Sequence, residues 1–158
     1  MNTYILDVIR KYKHRGLLID TNIALLYIVG SLDSSEIREH GRTSKFTEDD
    51  FSRVGKFIEY FPVRITTPHV LTEISDLLGN RTEFHYLLRD FIIKSNEIYE
   101  NSGLLSKAHG FLEIGLADAA IINAAKDNYL IFTDDGPLQG FLGKAGFDFV
   151  NLEQIRMI

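Results

Sequence analysis

Apolar and polar positions along the chain change rhythm several times. Ile5, Val8, Ile9 and Tyr12 recur at helical spacing and predict a short amphipathic helix over 3–13. Gly16 then introduces Leu17-Leu18-Ile19, a wholly apolar run closed by Asp20, as expected of a buried central strand. Helical character resumes from Asn22 to Val29, and residues 30–47 are polar and irregular. Thr47-Glu48-Asp49-Asp50 has the form of a capping box with Asp in the Glu/Gln position. It opens a helix whose face carries Phe51, Val54, Phe57 and Ile58. Val63 to Thr66 is a second strand. Thr67-Pro68 places a hydroxyl N-cap before a proline at the first helical position, Val70, Leu71, Ile74, Leu77 and Leu78 form the stripe, and Gly79 ends it. Phe84, Leu87, Leu88, Phe91 and Ile92 continue as a helix over 82–94.

Residues 95–115 carry no readable period. Leu116 to Lys126 is Ala- and Ile-rich and helical, Tyr129 to Thr133 is a strand, and 136–144 a short helix. A strand at Phe147–Val150 and a last helical turn complete the pattern. Short apolar strands alternating with helices build βαβ units. The expected fold is therefore α/β and three-layered, a central, mainly parallel sheet flanked by helices. No repeat, linker or low-complexity tract divides it, so residues 1–158 are expected to form one domain.

Composition narrows the chemistry. The net charge is 17 − 22 = −5, which excludes a strongly basic coat protein but not an enzyme that meets nucleic acid through a metal-loaded acidic site. The absence of cysteine removes disulfides, thiolate zinc sites and thiol nucleophiles, and fits a reducing cytoplasm. No apolar run approaches the roughly 18 residues a bilayer requires, and the charges of MNTYILDVIRKYKHRG follow its apolar stretch, the reverse of a signal peptide. A cytoplasmic protein with no membrane contact is the expectation.

Ligands of open parallel sheets bind at the carboxyl ends of the strands. Asp20 follows the first strand, Asp134 and Asp135 follow the strand over 129–133, Asp118 stands early in the 116–126 helix, and Glu73 lies about one turn into the helix from Pro68. Singly, each has an ordinary role: N-cap, dipole partner, turn former or solvated edge. Jointly they come from four distant stretches to one rim. Asp118, within Gly-Leu-Ala-Asp-Ala-Ala-Ile-Ile, is expected to be partly buried, and a buried carboxylate requires a cation. Oxygen-only donors without cysteine or paired histidine select Mg²⁺ or Mn²⁺. Such ions activate water and stabilise the attacking and leaving oxygens of a phosphodiester. No serine or threonine has the histidine and acid partners of a hydrolase triad.

LLIDTNIALL, TPHVLTEISDLL, GLADAAIINAA and LIFTDDGPL, in this order over roughly residues 17 to 150, resemble the PIN-domain ribonucleases. Among these, the compact toxins of the VapBC toxin–antitoxin type are the nearest in pattern. The resemblance implies metal-site acids at Asp20, Glu73, Asp118 and Asp135, the last through the family's Thr-x-Asp pattern at Thr133 and Asp135. Asp134, in the x position, stays a second candidate because the strand is ending there. Thr21 and Asn22 match the polar residues after the first acid, Asn22 orienting Asp20 or the scissile phosphate, and Thr133 supporting the last acid. A helical extension over 1–15 and a polar insertion over 31–50 exceed what a minimal toxin of this type needs.

The implied activity is hydrolysis of RNA by a metal-activated water, leaving a 5′-phosphate and a 3′-hydroxyl. Implied partners are RNA, an antitoxin that would set an Arg or Lys among the carboxylates, and a second copy docked through the 80–94 helix. A phosphotransferase or receiver-like domain is disfavoured, because Thr21 and Asn22 rather than a second acid follow Asp20. A catalytically silent module binding RNA or protein is the alternative. Arg10 to Arg15, and Arg42 with Lys45, Arg53 and Lys56, are basic stretches suited to RNA phosphates or to a solvated face. His69, four residues before Glu73 on one helical face, is a supporting partner of the site, a substrate contact or a histidine that merely starts the helix, and Glu113, five before Asp118, is a candidate extra acid at the rim.

Overall fold

A computed structural model of the chain describes residues 2–126 and 128–158, so Met1 of the expected extension lies outside the described residues. The elements run α1 (Thr3–Tyr12), β1 (Leu17–Ile19), α2 (Thr21–Leu32), α3 (Glu36–Glu39), α4 (Glu48–Glu59), β2 (Arg64–Thr66), α5 (Pro68–Leu78) and α6 (Thr82–Ile93). They continue through β3 (Asn96–Glu97), α7 (Ser102–Leu105), α8 (Phe111–Ala125), β4 (Leu130–Phe132), α9 (Gly136–Ala145), β5 (Phe149–Val150) and α10 (Leu152–Arg156).

The five strands form one sheet in the order β3-β2-β1-β4-β5, and every pairing is parallel. The α/β fold with helices flanking a central sheet is thus the one expected, with the sheet wholly rather than mainly parallel. β1 and β4 are fully buried apolar triplets, in register from Leu17↔Leu130 to Ile19↔Phe132. Covering both faces of a parallel sheet selects such runs. Gly16 leads into β1 with φ of 145°, and a Cβ there would stand 3.0 Å from the Ile65 side chain. A side chain at that position would be strained in backbone and crowded in space. Chain order reverses around β1, since β2 and β3 lie to one side and β4 and β5 to the other. That switch point is where open α/β sheets place their ligands.

Local capping follows the sequence. Thr47 and Asp50 form the reciprocal capping box of α4, and Thr67 caps α5 with Pro68 behind it. The N-terminal extension is clamped to the far edge of the sheet: the Tyr12 hydroxyl and Lys11 Nζ donate to Asp148 at 2.8 and 2.7 Å, and the Tyr4 hydroxyl to the Phe149 carbonyl at 2.9 Å.

Two stretches differ from expectation. The segment over 30–47 is not simply irregular, because α2 runs on to Leu32 and α3 follows. Ile37, Thr43 and Phe46 are buried anchors spaced through it, and the Thr43 hydroxyl donates to the Ile37 carbonyl at 2.8 Å. The unreadable 95–115 stretch contains β3, α7 and the start of α8. α8 begins before Leu116 but breaks at Gly115, whose φ of 79° and ψ of −175° no helix accommodates.

Candidate functional site

Asp20 leaves the tip of β1, its backbone N–H still donating to Phe132 of β4 at 3.0 Å, and caps α2. Its carboxylate accepts from the Thr21 N–H at 2.7 Å and from the Thr133 hydroxyl at 2.6 Å. Thr133, fully buried just past β4, also accepts from the Asp135 N–H at 3.0 Å, so one hydroxyl fixes the first acid and the turn carrying the last. Asp135 caps α9, accepting from Leu138 N–H at 2.7 Å. On the opposite side the Thr21 hydroxyl donates to Glu73 of α5 at 2.9 Å. The break at Gly115 starts a fresh helical segment, so Asp118 falls in its first turn, where a carboxylate is favoured by the helix dipole.

Asp20, Glu73, Asp118 and Asp135 line one open cleft of about 560 Å³, with Thr21 and Asn22 beside them. Burial pushes the Asp20 carboxyl up to about 6, overriding the hydrogen bonds from Thr133 and Thr21 that favour its charge, with Asp135 and Glu73 adding repulsion. Asp118 is pushed up to about 7, first by burial and then by Asp20, Asp135 and Glu73. It accepts no hydrogen bond from the described residues, which leaves both its oxygens free.

Other candidates sit elsewhere. Asp134 faces away from the cleft and takes Lys45 Nζ at 2.8 Å, because Thr133 and Asp135 point one way as the strand ends and the residue between points the other. His69 meets Ser102 at 3.3 Å and, like Glu113, does not line the cleft. Asn22 lines it without reaching Asp20; the neighbouring Thr21 holds both Asp20 and Glu73.

Asp76 was not among the expected site residues, and Arg42 was expected only as part of a basic stretch suited to RNA phosphates, not beside the acids. Asp76 follows Glu73 by three residues on the same face of α5, a spacing that had the information in it. Arg42, from the insertion, is the one cation among the lining residues, and nothing local in the sequence places it there.

The donors are all oxygens, the set that suits Mg²⁺ or Mn²⁺. Among the described residues no three His, Cys, Asp or Glu side chains are drawn together closely enough to hold an ion. The acids line one cleft without closing into a cage, as expected of like charges that repel. No protein-family model matches the chain, and no curated protein matches it. The resemblance to PIN-domain ribonucleases therefore rests on its four motifs, and the function on the chemistry of this cleft.

Proposed function

We propose that the chain is a Mg²⁺- or Mn²⁺-dependent endoribonuclease with its site at Asp20, Glu73, Asp118 and Asp135. One observation carries the reading: four acids from four separated elements line one cleft at the switch point of a parallel sheet, and none is ion-paired to a described residue. A divalent cation held there supplies charge neutralisation at the phosphate and an acidified water. Asp20, pinned at both oxygens by Thr21 and Thr133, is the fixed reference of the site. Glu73 is oriented by the Thr21 hydroxyl, and Asp135 is set by its cap on α9. Asp118 stands beside Ile114, Leu116 and Ala117, the apolar side of the cleft. RNA as the substrate, a toxin role with an antitoxin partner, a homodimer and a cytoplasmic location come from the resemblance.

The open spacing of the acids is the observation that favours a second reading, a PIN-like module that binds RNA or protein without cleaving. Cleavage of a labelled single-stranded RNA panel with Mn²⁺ or Mg²⁺, beside EDTA, Asp20→Asn and Asp118→Asn, separates the two. The expected result is metal-dependent cleavage giving 5′-phosphate ends, reduced at least about 10³-fold in either variant while circular dichroism stays unchanged. Equal cleavage by wild type and variants identifies a contaminant. No cleavage together with no Mn²⁺ binding by calorimetry moves the assignment to the silent module.

A further inference from the structure

We propose that Arg42 is the residue that binds a backbone phosphate of single-stranded RNA next to the scissile bond, so that the insertion over 31–50 is a substrate-positioning element. The inference rests on the nuclease reading and adds a residue that the motifs do not supply.

Its starting point is what the arginines do. Arg53, Arg81 and Arg156 are ion-paired to Asp49, Glu36 and Asp50, and Arg10 reaches Asp7. Arg15, Arg64 and Arg89 lie over the rings of Tyr12, Tyr27 and Tyr86. Arg38 and Arg42 have neither kind of partner among the described residues, and of the two only Arg42 lines the acidic cleft. An arginine kept as a counter-ion for the cleft would pair with Asp20, Glu73, Asp76, Asp118 or Asp135, and it pairs with none.

The backbone beneath it is fixed. Arg42 N–H donates to His40 Nδ1 at 3.3 Å, the next residue is the fully buried Thr43, and Thr43 N–H donates to the His40 carbonyl at 3.0 Å. Three residues on, Lys45 is clipped to Asp134 at 2.8 Å, tying the insertion to the turn that carries Asp135. A fixed backbone places the guanidinium at the cleft without ordering its segment on binding, so that only the side chain has to be ordered, and its fork matches a phosphate. A cleft of five carboxylates draws the scissile phosphate only through a cation, and the adjoining phosphates of the strand still need a positive partner. Arg42 is the described lining residue able to be one.

The test is anisotropy of a labelled 12-nucleotide single-stranded RNA with wild type, Arg42→Ala, Arg42→Gln and Arg42→Lys, in Ca²⁺ and over a range of KCl. Mn²⁺ calorimetry and wild-type cleavage in Mn²⁺ run alongside. Arg42→Ala and Arg42→Gln are expected to bind roughly tenfold more weakly, with the log–log salt slope shallower by about 0.7. Arg42→Lys should recover part of the affinity and most of the slope, and Mn²⁺ affinity should stay within about twofold of wild type. A series of RNAs with one methylphosphonate each should contain a position that weakens wild type but not Arg42→Ala. Should either folded variant match the wild-type affinity and slope, the proposal is overturned even where wild type cleaves. Tighter Mn²⁺ binding with unchanged RNA binding overturns it in favour of a counter-ion role. A shallower slope in a protein that cleaves no RNA supports Arg42 and removes the nuclease reading instead.

Discussion

Asp20 and Asp50 are both buried acids at the start of a helix, 5% and 2% exposed, and their surroundings are opposite. Asp50 accepts from Arg156 at Nε and Nη2, both at 2.8 Å, and from Thr47 N–H at 2.9 Å, and this holds its carboxyl below the ordinary range. Asp20 accepts two hydrogen bonds but faces Glu73 and Asp135, and burial raises it to about 6. Where an acid serves the fold, the chain supplies its cation from a distant element. In the cleft, four acids have no such partner among the described residues. Uncompensated buried charge is expensive; Asp20 is buried without a cation, and the partly exposed Asp118 and Asp135 and the exposed Glu73 share its cleft.

The contrast is broken most severely by Arg156→Met, which leaves Asp50 buried without its cation and with only the Thr47 N–H to accept from. We expect a loss of about 3 kcal/mol in urea unfolding at unchanged m. Adding Asp50→Asn should return most of that loss, because no buried charge is then stranded. A full loss persisting in the double variant would mean that Arg156 acts through packing rather than through the pair.

The two environments differed in how far the sequence disclosed them. Asp20 was legible because β1 is a wholly apolar triplet between Gly16 and a polar cluster, and a strand covered on both faces has to look like that. The caps at Thr47 and Thr67 were legible because their chemistry is confined to three or four consecutive residues. β3 was not, since Asn96 and Glu97 are exposed edge residues with no buried face to impose a pattern. The start of α8 was masked by Gly115, which interrupts the period at the residue before the readable run begins. The partner of Asp50 and the place of Arg42 were hidden for a different reason. Arg156 lies 106 residues from Asp50, and Arg42 reaches the cleft only because Ile37, Thr43 and Phe46 anchor its segment.

Divalent cation sharpens the contrast next. Asp20 and Asp118, raised to about 6 and about 7, keep protons in the fold at pH values where an unfolded chain has lost them. They favour the metal-free fold fully below the ordinary 3.8, and that contribution is lost as pH rises from there through about 6 for Asp20 and about 7 for Asp118, on the order of 3 kcal/mol for Asp20 alone. Asp50 has the opposite sign: its depressed pKa contributes stability above the ordinary 3.8, lost as pH falls through the folded value. Mn²⁺ at about 100 times its Kd should add about 2.7 kcal/mol at pH 8. At pH 5, where protons already neutralise Asp20 and Asp118, the rise in Tm should be much smaller. An equal rise at both values would place the ion elsewhere.

A smaller effect is expected from Asp118→Asn in the metal-free protein at pH 8. Removing one charge from the cleft should raise Tm by a few degrees, about 1 kcal/mol once solvent screening of this half-buried group is allowed for. The gain should shrink as pH falls to 5 and vanish below the ordinary 3.8, where Asp118 is protonated in both states. A destabilised variant at pH 8 would mean that Asp118 already has a cationic partner in the folded chain.

The smallest effect distinguishes neighbours within the cleft's own rim. Asp134→Asn removes only an exposed pair with Lys45, whose side chains are 22% and 55% exposed, so stability should change by less than about 0.5 kcal/mol and RNA cleavage by less than about threefold. Asp135→Asn keeps an oxygen to cap Leu138 and so should also fold, but it removes a charge from the cleft, and cleavage should fall at least about 100-fold. Both replacements are isosteric and sit on one turn, so their ratio isolates the direction in which each carboxylate points. Cleavage lost with Asp134→Asn and retained with Asp135→Asn would reverse the assignment and make the Lys45 contact the one that has to open for catalysis.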